Sequence, residues 1–159
     1  MKKRYLLLFI SIFVAFSVSA QKLTLNKLIQ LHKQNLLGVD EYLTKQNWKG
    51  GITFHNLEGA FGCDEGNWES LLAGGVLTIK RNCECNNFTQ YTYVGDDSEE
   101  WRNKVLKELQ TSTVYIFNDI TTEESPLGLV INYFYKNNGL VIALRFIPGT
   151  VITELYIVN

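Results

Sequence analysis

Histidine is almost missing from this sequence: His32 and His55 are the only two in 159 residues. So few leave little from which to build a histidine-based hydrolytic centre. Serine-elbow, phosphate-loop and dinucleotide glycine patterns are absent too, and Gly74-Gly75 reads more simply as a kink at a strand entry. No catalytic constellation is visible, so a non-enzyme with no cofactor is expected. Proline also occurs only twice, against 13% aromatic residues, a balance that excludes a disordered chain. Beyond residue 20 no apolar run approaches the roughly 20 residues of a membrane-spanning helix. No stretch concentrates lysine and arginine, which argues against nucleic acid or anionic lipid as a partner.

What is present begins with an export signal. Lys2, Lys3 and Arg4 precede an apolar run over residues 5–18, and Val18-Ser19-Ala20 places small residues before a cut ahead of Gln21. Residues 1–20 read as a signal peptide, and the expected location is exported, periplasmic or secreted. No cysteine follows the cut, so a lipoprotein anchor is not expected. Three of the 15 basic residues leave with the signal, so 12 face 16 acidic ones, a net of about −4. Residues 21–159 suit a single domain.

The clearest element is an amphipathic helix over residues 97–109. Asp97 is placed to cap it with Glu100 three positions on, and Glu99 and Glu100 face the positive end of the helix dipole. Trp101, Val105, Leu106 and Leu109 fall on one stripe, with Arg102, Asn103, Lys107 and Glu108 largely off it. Upstream, residues 24–36 read as a helix capped by Thr24, with Leu25, Leu28 and Ile29 apolar and His32 on its polar part. Gly38 reads as a break, and residues 39–45 as a second helix presenting Val39, Tyr42 and Leu43. Strands are expected over 52–55, 75–81, 87–94, 113–118, 129–136, 140–147 and 151–158. Residues 57–69 and 119–126 read as loops. Asn138-Gly139 is a strong type I′ hairpin signal, pairing Tyr135 with Ile142, Tyr133 with Leu144 and Ile131 with Phe146. Pro148-Gly149 suits a type II turn and hence a looser connection.

Helix, strand, long loop and two strands over about 39–95 are followed by helix, strand, loop and three strands over 97–158. The expected fold is α+β: helices packed on one face of a curved antiparallel sheet, built from two similar halves. Leu23-Thr24-Leu25 with Leu28-Ile29, then Val39-Asp40-Glu41-Tyr42-Leu43-Thr44-Lys45 before Trp48, resembles small uncharacterised exported proteins of flavobacteria-like bacteria. The paired plan is also similar to β-lactamase-inhibitor-like folds and small periplasmic immunity proteins. That second resemblance implies a sheet surface that binds another protein.

Two sets of residues carry functional expectations. In an oxidising compartment Cys63 is expected to pair with Cys83 or Cys85, leaving one thiol buried, modified or used for dimerisation. The alternative is a zinc or copper site, or a redox centre, from Cys63, Cys83, Cys85 and His55, although Cys-x-Cys is not a standard zinc spacing. Asp64, Glu65 and Glu69 lack calcium-loop spacing and read as a solvated acidic loop. Asn87-Phe88-Thr89 matches the glycosylation pattern by chance. The second set is a surface. If Tyr133, Leu144 and Thr153 face the helices, then Asn132, Phe134, Ala143, Arg145, Glu154 and Tyr156 face away, a mixture that interfaces favour. This face, or the loop from Cys63 to Trp68, is the candidate docking site for a protein partner. The plain alternative is an ordinary solvent face, and a small-ligand pocket between helices and sheet stays open as a third reading.

Overall fold

The computed structural model describes residues 22–54, 63–81 and 87–159. Residues 1–20, read as an export signal, and His55, Cys83 and Cys85 lie outside the described residues. The elements in chain order are α1 (Leu25–Lys33), α2 (Leu36–Lys45), β1 (Lys49–Thr53), β2 (Asp64–Ser70), β3 (Gly75–Arg81), β4 (Phe88–Val94), α3 (Ser98–Gln110), β5 (Ile116–Ser125), β6 (Gly128–Asn137), β7 (Leu140–Phe146) and β8 (Ile152–Val158). The strands form one open antiparallel sheet in the order β1-β2-β3-β4-β8-β7-β6-β5. The last strand therefore pairs with the fourth and joins two runs of consecutive strands.

Directly paired residues share a face of a sheet. Trp68, Leu77, Tyr91, Leu155, Leu144 and Tyr133 form one such row across six strands. Ile79, Thr89, Ile157, Ile142 and Tyr135 form the next. These side chains are buried, apart from the half-buried Tyr133. The apolar members cluster with Leu28, Leu31, Val39, Leu43, Trp101, Val105 and Leu109 from the helices. Burying each large apolar side chain contributes about 1.5–3 kcal/mol, so this cluster is the main source of stability. Trp101 stacks on Tyr93 at 5.5 Å, meets Tyr91 edge-on at 5.3 Å, and donates Nε1–H to the Leu23 carbonyl at 3.0 Å. It is the core anchor that the helical stripe implies.

The expected register of the Asn138-Gly139 hairpin is present: Tyr135 pairs with Ile142, Tyr133 with Leu144 and Ile131 with Phe146. Asn138 and Gly139 adopt φ of 43° and 86°, as a type I′ turn requires. Gly149 has φ 80°, and Thr150 N–H bonds the Ile147 carbonyl at 3.1 Å, which fits the type II turn.

Other local expectations are corrected. Gly38 does not break a helix; α2 starts at Leu36, and the Asn35 side chain caps it by accepting from Gly38 N–H at 2.8 Å. Asp97 makes no capping bond to α3, because its carboxylate is taken by the Tyr93 hydroxyl and by Lys22. Arg102 is buried, its guanidinium 4.1 Å from the Phe146 ring centroid and 3.1 Å from Glu99, since an arginine stem covers apolar surface while its head finds a ring and a carboxylate. The first strand runs from Lys49 to Thr53 rather than over 52–55. Residues 64–69, read as loop, belong to β2. Residues 119–125, also read as loop, continue β5, an edge strand whose side chains are almost all exposed and carry no burial pattern to read.

Trp68 belongs to the core and not to a binding loop. It is 1% exposed and donates its indole N–H to Asp40 at 2.8 Å. Its ring lies over Gly66, where a Cβ would sit 2.0 Å from the ring. Gly66→Ala is therefore expected to displace Trp68 and destabilise the fold by about 2–3 kcal/mol. Urea unfolding followed by tryptophan fluorescence measures this directly, and an unchanged midpoint would contradict the packing.

His32 is buried against β4 and not on a polar helix face. Its Nε2 faces the Asn159 side-chain oxygen at 3.1 Å, so that nitrogen carries the proton, and Nδ1 accepts from the Thr89 hydroxyl at 2.9 Å. Burial first, and the Arg81 charge second, lower its pKa from 6.5 to about 4. The folded state thus disfavours the protonated ring. Stability from this site is complete above about pH 6.5 and is lost as pH falls towards 4. Between pH 7 and pH 4.5 the chain is expected to lose on the order of 1–2 kcal/mol more than His32→Gln. Parallel thermal melts of the two proteins check this; identical pH slopes would contradict it.

Candidate functional site

The side chains of alternate parity form the opposite face. Asn67, Thr78, Gln90, Tyr156, Ala143, Phe134 and Asp119 make one row across seven strands. Val76, Thr92, Glu154, Arg145, Asn132 and Thr121 make the adjacent row. The structure brings Asn132, Phe134, Arg145, Glu154 and Tyr156 together here, all half-buried.

Their centre is a hydrogen-bonded charge cluster. Arg145 holds Glu123 at 2.9 Å and Glu154 at 3.7 Å. Glu154 also accepts from the Tyr156 hydroxyl at 2.9 Å and from Gln90 Nε2 at 3.1 Å. Burial, then the Glu154 charge, pushes the Tyr156 phenol up to about 12, so it remains a donor at neutral pH. Phe88 packs on the Tyr156 ring at 5.8 Å, and Asn132 donates to Thr121 at 3.3 Å. The ion pairs are part-exposed, with individual energies in the range of about 0–1 kcal/mol, so they orient the groups more than they stabilise the fold.

Beside this cluster lies an apolar recess of about 370 Å³. Leu127, Val130, Ile147 and Ile152 line it, with Arg145 and Glu154 on its wall. Val130 is 2% exposed yet stands outside the main core cluster, so the recess has a small apolar floor of its own. A fixed bidentate-capable cation beside an apolar hollow can hold an apolar side chain and orient a neighbouring carboxylate or amide. Gln90, Glu123, Val130 and Ile147 were not singled out in the sequence. Strand parity could have found Gln90 and Val130, whereas Glu123 lay in the stretch read as loop.

A larger polar cleft of about 610 Å³ lies at the end of α1, lined by His32, Arg81, Tyr115, Asn137 and Asn159 among others. Arg81, charged like Lys33 on the same wall, has a structural task. Arg81 donates to the carbonyls of His32 and Phe88, tying the C-terminal end of α1 to β4 as a cation at a helix C-terminus does. Burial lowers the Arg81 pKa to about 10.

Of the cysteine set, only Cys63 lies among the described residues, one position before β2. Among the described residues no three His, Cys, Asp or Glu side chains gather to hold a metal. Glu65, in the former acidic loop, pairs with Lys80 at 3.3 Å across β2 and β3. Among the described residues no helix is long and apolar enough to cross a membrane. No family model, curated protein or solved structure matches the chain.

Proposed function

We propose that the chain is an exported protein-binding module, inhibitor-like or immunity-like in its mode of action, that docks a protein partner on the face carrying Phe134, Arg145, Glu154 and Tyr156. The observation that carries this reading is the apolar recess set directly against the Arg145 cluster. Interfaces combine a desolvated apolar pocket with an arginine and aromatic anchors in this way. The finer architecture supports it. In this reading α1 to α3 cover one face of the sheet, two helix-plus-strands halves over about 39–95 and 97–158 build it, and the other face is left for the partner. Co-purification from the envelope of producing cells tests the proposal. The Phe134→Ser, Tyr156→Ser double variant is expected to lose a protein that the unaltered chain retains; identical sets of bound proteins would contradict it.

The cysteines belong to the same reading as a staple. Cys63 is assigned to Cys83 or Cys85, tying the start of β2 to the connection between β3 and β4. The competing reading uses Cys63, Cys83, Cys85 and His55 for metal or redox chemistry. Intact-mass measurement separates them: reduction is expected to add the two hydrogens of one disulfide, with no metal in the native mass. A bound metal ion and no mass change on reduction would favour the competitor.

A further inference from the structure

We infer that the free edge of β5, from Ile120 to Glu124, is a second docking element that takes up an extended segment of a protein partner bearing alternating apolar and basic side chains. The inference rests on the reading of the chain as a protein-binding module and names how such a partner is gripped.

Among the described residues β5 ends the sheet, and its outer edge pairs with no strand. The groups it offers follow from the hairpin that joins it to β6. Ser125 and Gly128 flank a two-residue turn and are paired, which makes them a hydrogen-bonded pair. Alternation then makes Glu123 with Val130 and Thr121 with Asn132 hydrogen-bonded pairs. The backbone groups of Ile120, Thr122 and Glu124 consequently point outward. Consistent with this, Ile120 N–H donates to the Asp119 carboxylate at 2.8 Å. The register shift between Phe117 and Asp119 ends the regular ladder on that side.

Edges that must stay unpaired are usually blunted by lysine, proline or brevity. β5 is ten residues long and contains neither residue. Its charged side chains are Asp119, Glu123 and Glu124, all acidic. Two copies pairing through this edge would bring six carboxylates together, of which Glu123 alone is answered by a cation, Arg145 of β7, so charge disfavours a second copy and favours a basic segment. Two inward-facing side chains at the start of the edge, followed on the same face by Thr122 and Glu124, are apolar and uncovered, Phe117 at 54% and Ile120 at 47% exposure. They adjoin an open groove of about 360 Å³ lined by Leu109, Tyr115, Phe117, Tyr133 and Tyr135. A strand added at β5 would lay one set of alternate side chains beside Phe117 and Ile120. The other set would lie beside Asp119 and Glu123, as strand addition requires.

The probe is a fluorescein-labelled ten-residue peptide alternating lysine with valine, titrated into the purified chain and read by anisotropy. Saturable binding is expected, weakened by about tenfold or more when glutamate replaces lysine or when alternate peptide nitrogens are methylated. Thr122→Pro removes an outward N–H without touching the bonds to β6, and should weaken binding by a similar factor. Should circular dichroism show that variant unfolded, Thr121→Lys with Glu123→Lys keeps the backbone intact, places two cations on the face of Asp119, and should weaken the lysine peptide as much. No saturable binding, equal binding of the methylated peptide, or indifference to these substitutions would overturn the inference. So would a concentration-dependent dimer of the unaltered chain that Thr122→Pro abolishes, since the edge would then serve a second copy. Tyr156→Ser alone, on β8 and three strands from β5, should bind the peptide normally, so failure at the edge and failure at the open face are read separately.

Discussion

The pairing of β4 with β8 is the constraint on which the rest of the structure depends. Seven residue pairs, from Phe88 with Val158 to Val94 with Ile152, join two strand runs that would otherwise each expose an edge. The pairing also aligns their buried rows, so that Tyr91 meets Leu155 and Thr89 meets Ile157 in the centre of the molecule. An isolated four-stranded run would leave Tyr91 or Leu155 half in water. Joined, they share one core with Trp101 of α3, and the aromatic contacts of Tyr91, Tyr93 and Trp101 sit over the seam.

The same register organises the opposite face. Side-chain parity cannot slip at the seam without moving every residue on one strand run to the other side. Because it does not, Gln90 of β4 reaches Glu154 and Tyr156 of β8, and Glu154 lies against Arg145 of β7. The polar cluster therefore spans both runs. Glu123 extends it to β5, so the cluster and the free edge of the sheet are physically continuous.

Legibility in the sequence followed burial. Asn138-Gly139 with its flanking apolar alternation gave register and face together, and from them Asn132, Arg145 and Glu154 could be placed side by side. The helix at Trp101 was equally plain because Trp101, Val105 and Leu109 of its stripe are buried. β5 was hidden because Thr121, Thr122, Glu123 and Glu124 bury nothing, and an edge strand held by backbone pairing leaves no hydrophobic period. β2 was hidden for a different reason. Gly66 alternates with Trp68 on the inner face, and its missing side chain makes room for the ring, which removes half of the expected apolar signal. His32 and Arg102 were misplaced because their polarity outweighed their position, although each finds specific partners inside.

Native-state amide hydrogen exchange tests the central claim that the β4–β8 seam makes the eight strands one cooperative unit. The account predicts that amides of Leu77, Tyr91, Leu155 and Leu144 exchange only through global unfolding with a common free energy, while those of β5 exchange by local opening. If β2 and β3 instead exchanged as a separate unit at clearly lower free energy than β7 and β8, the seam would not hold the molecule together and the account would be wrong.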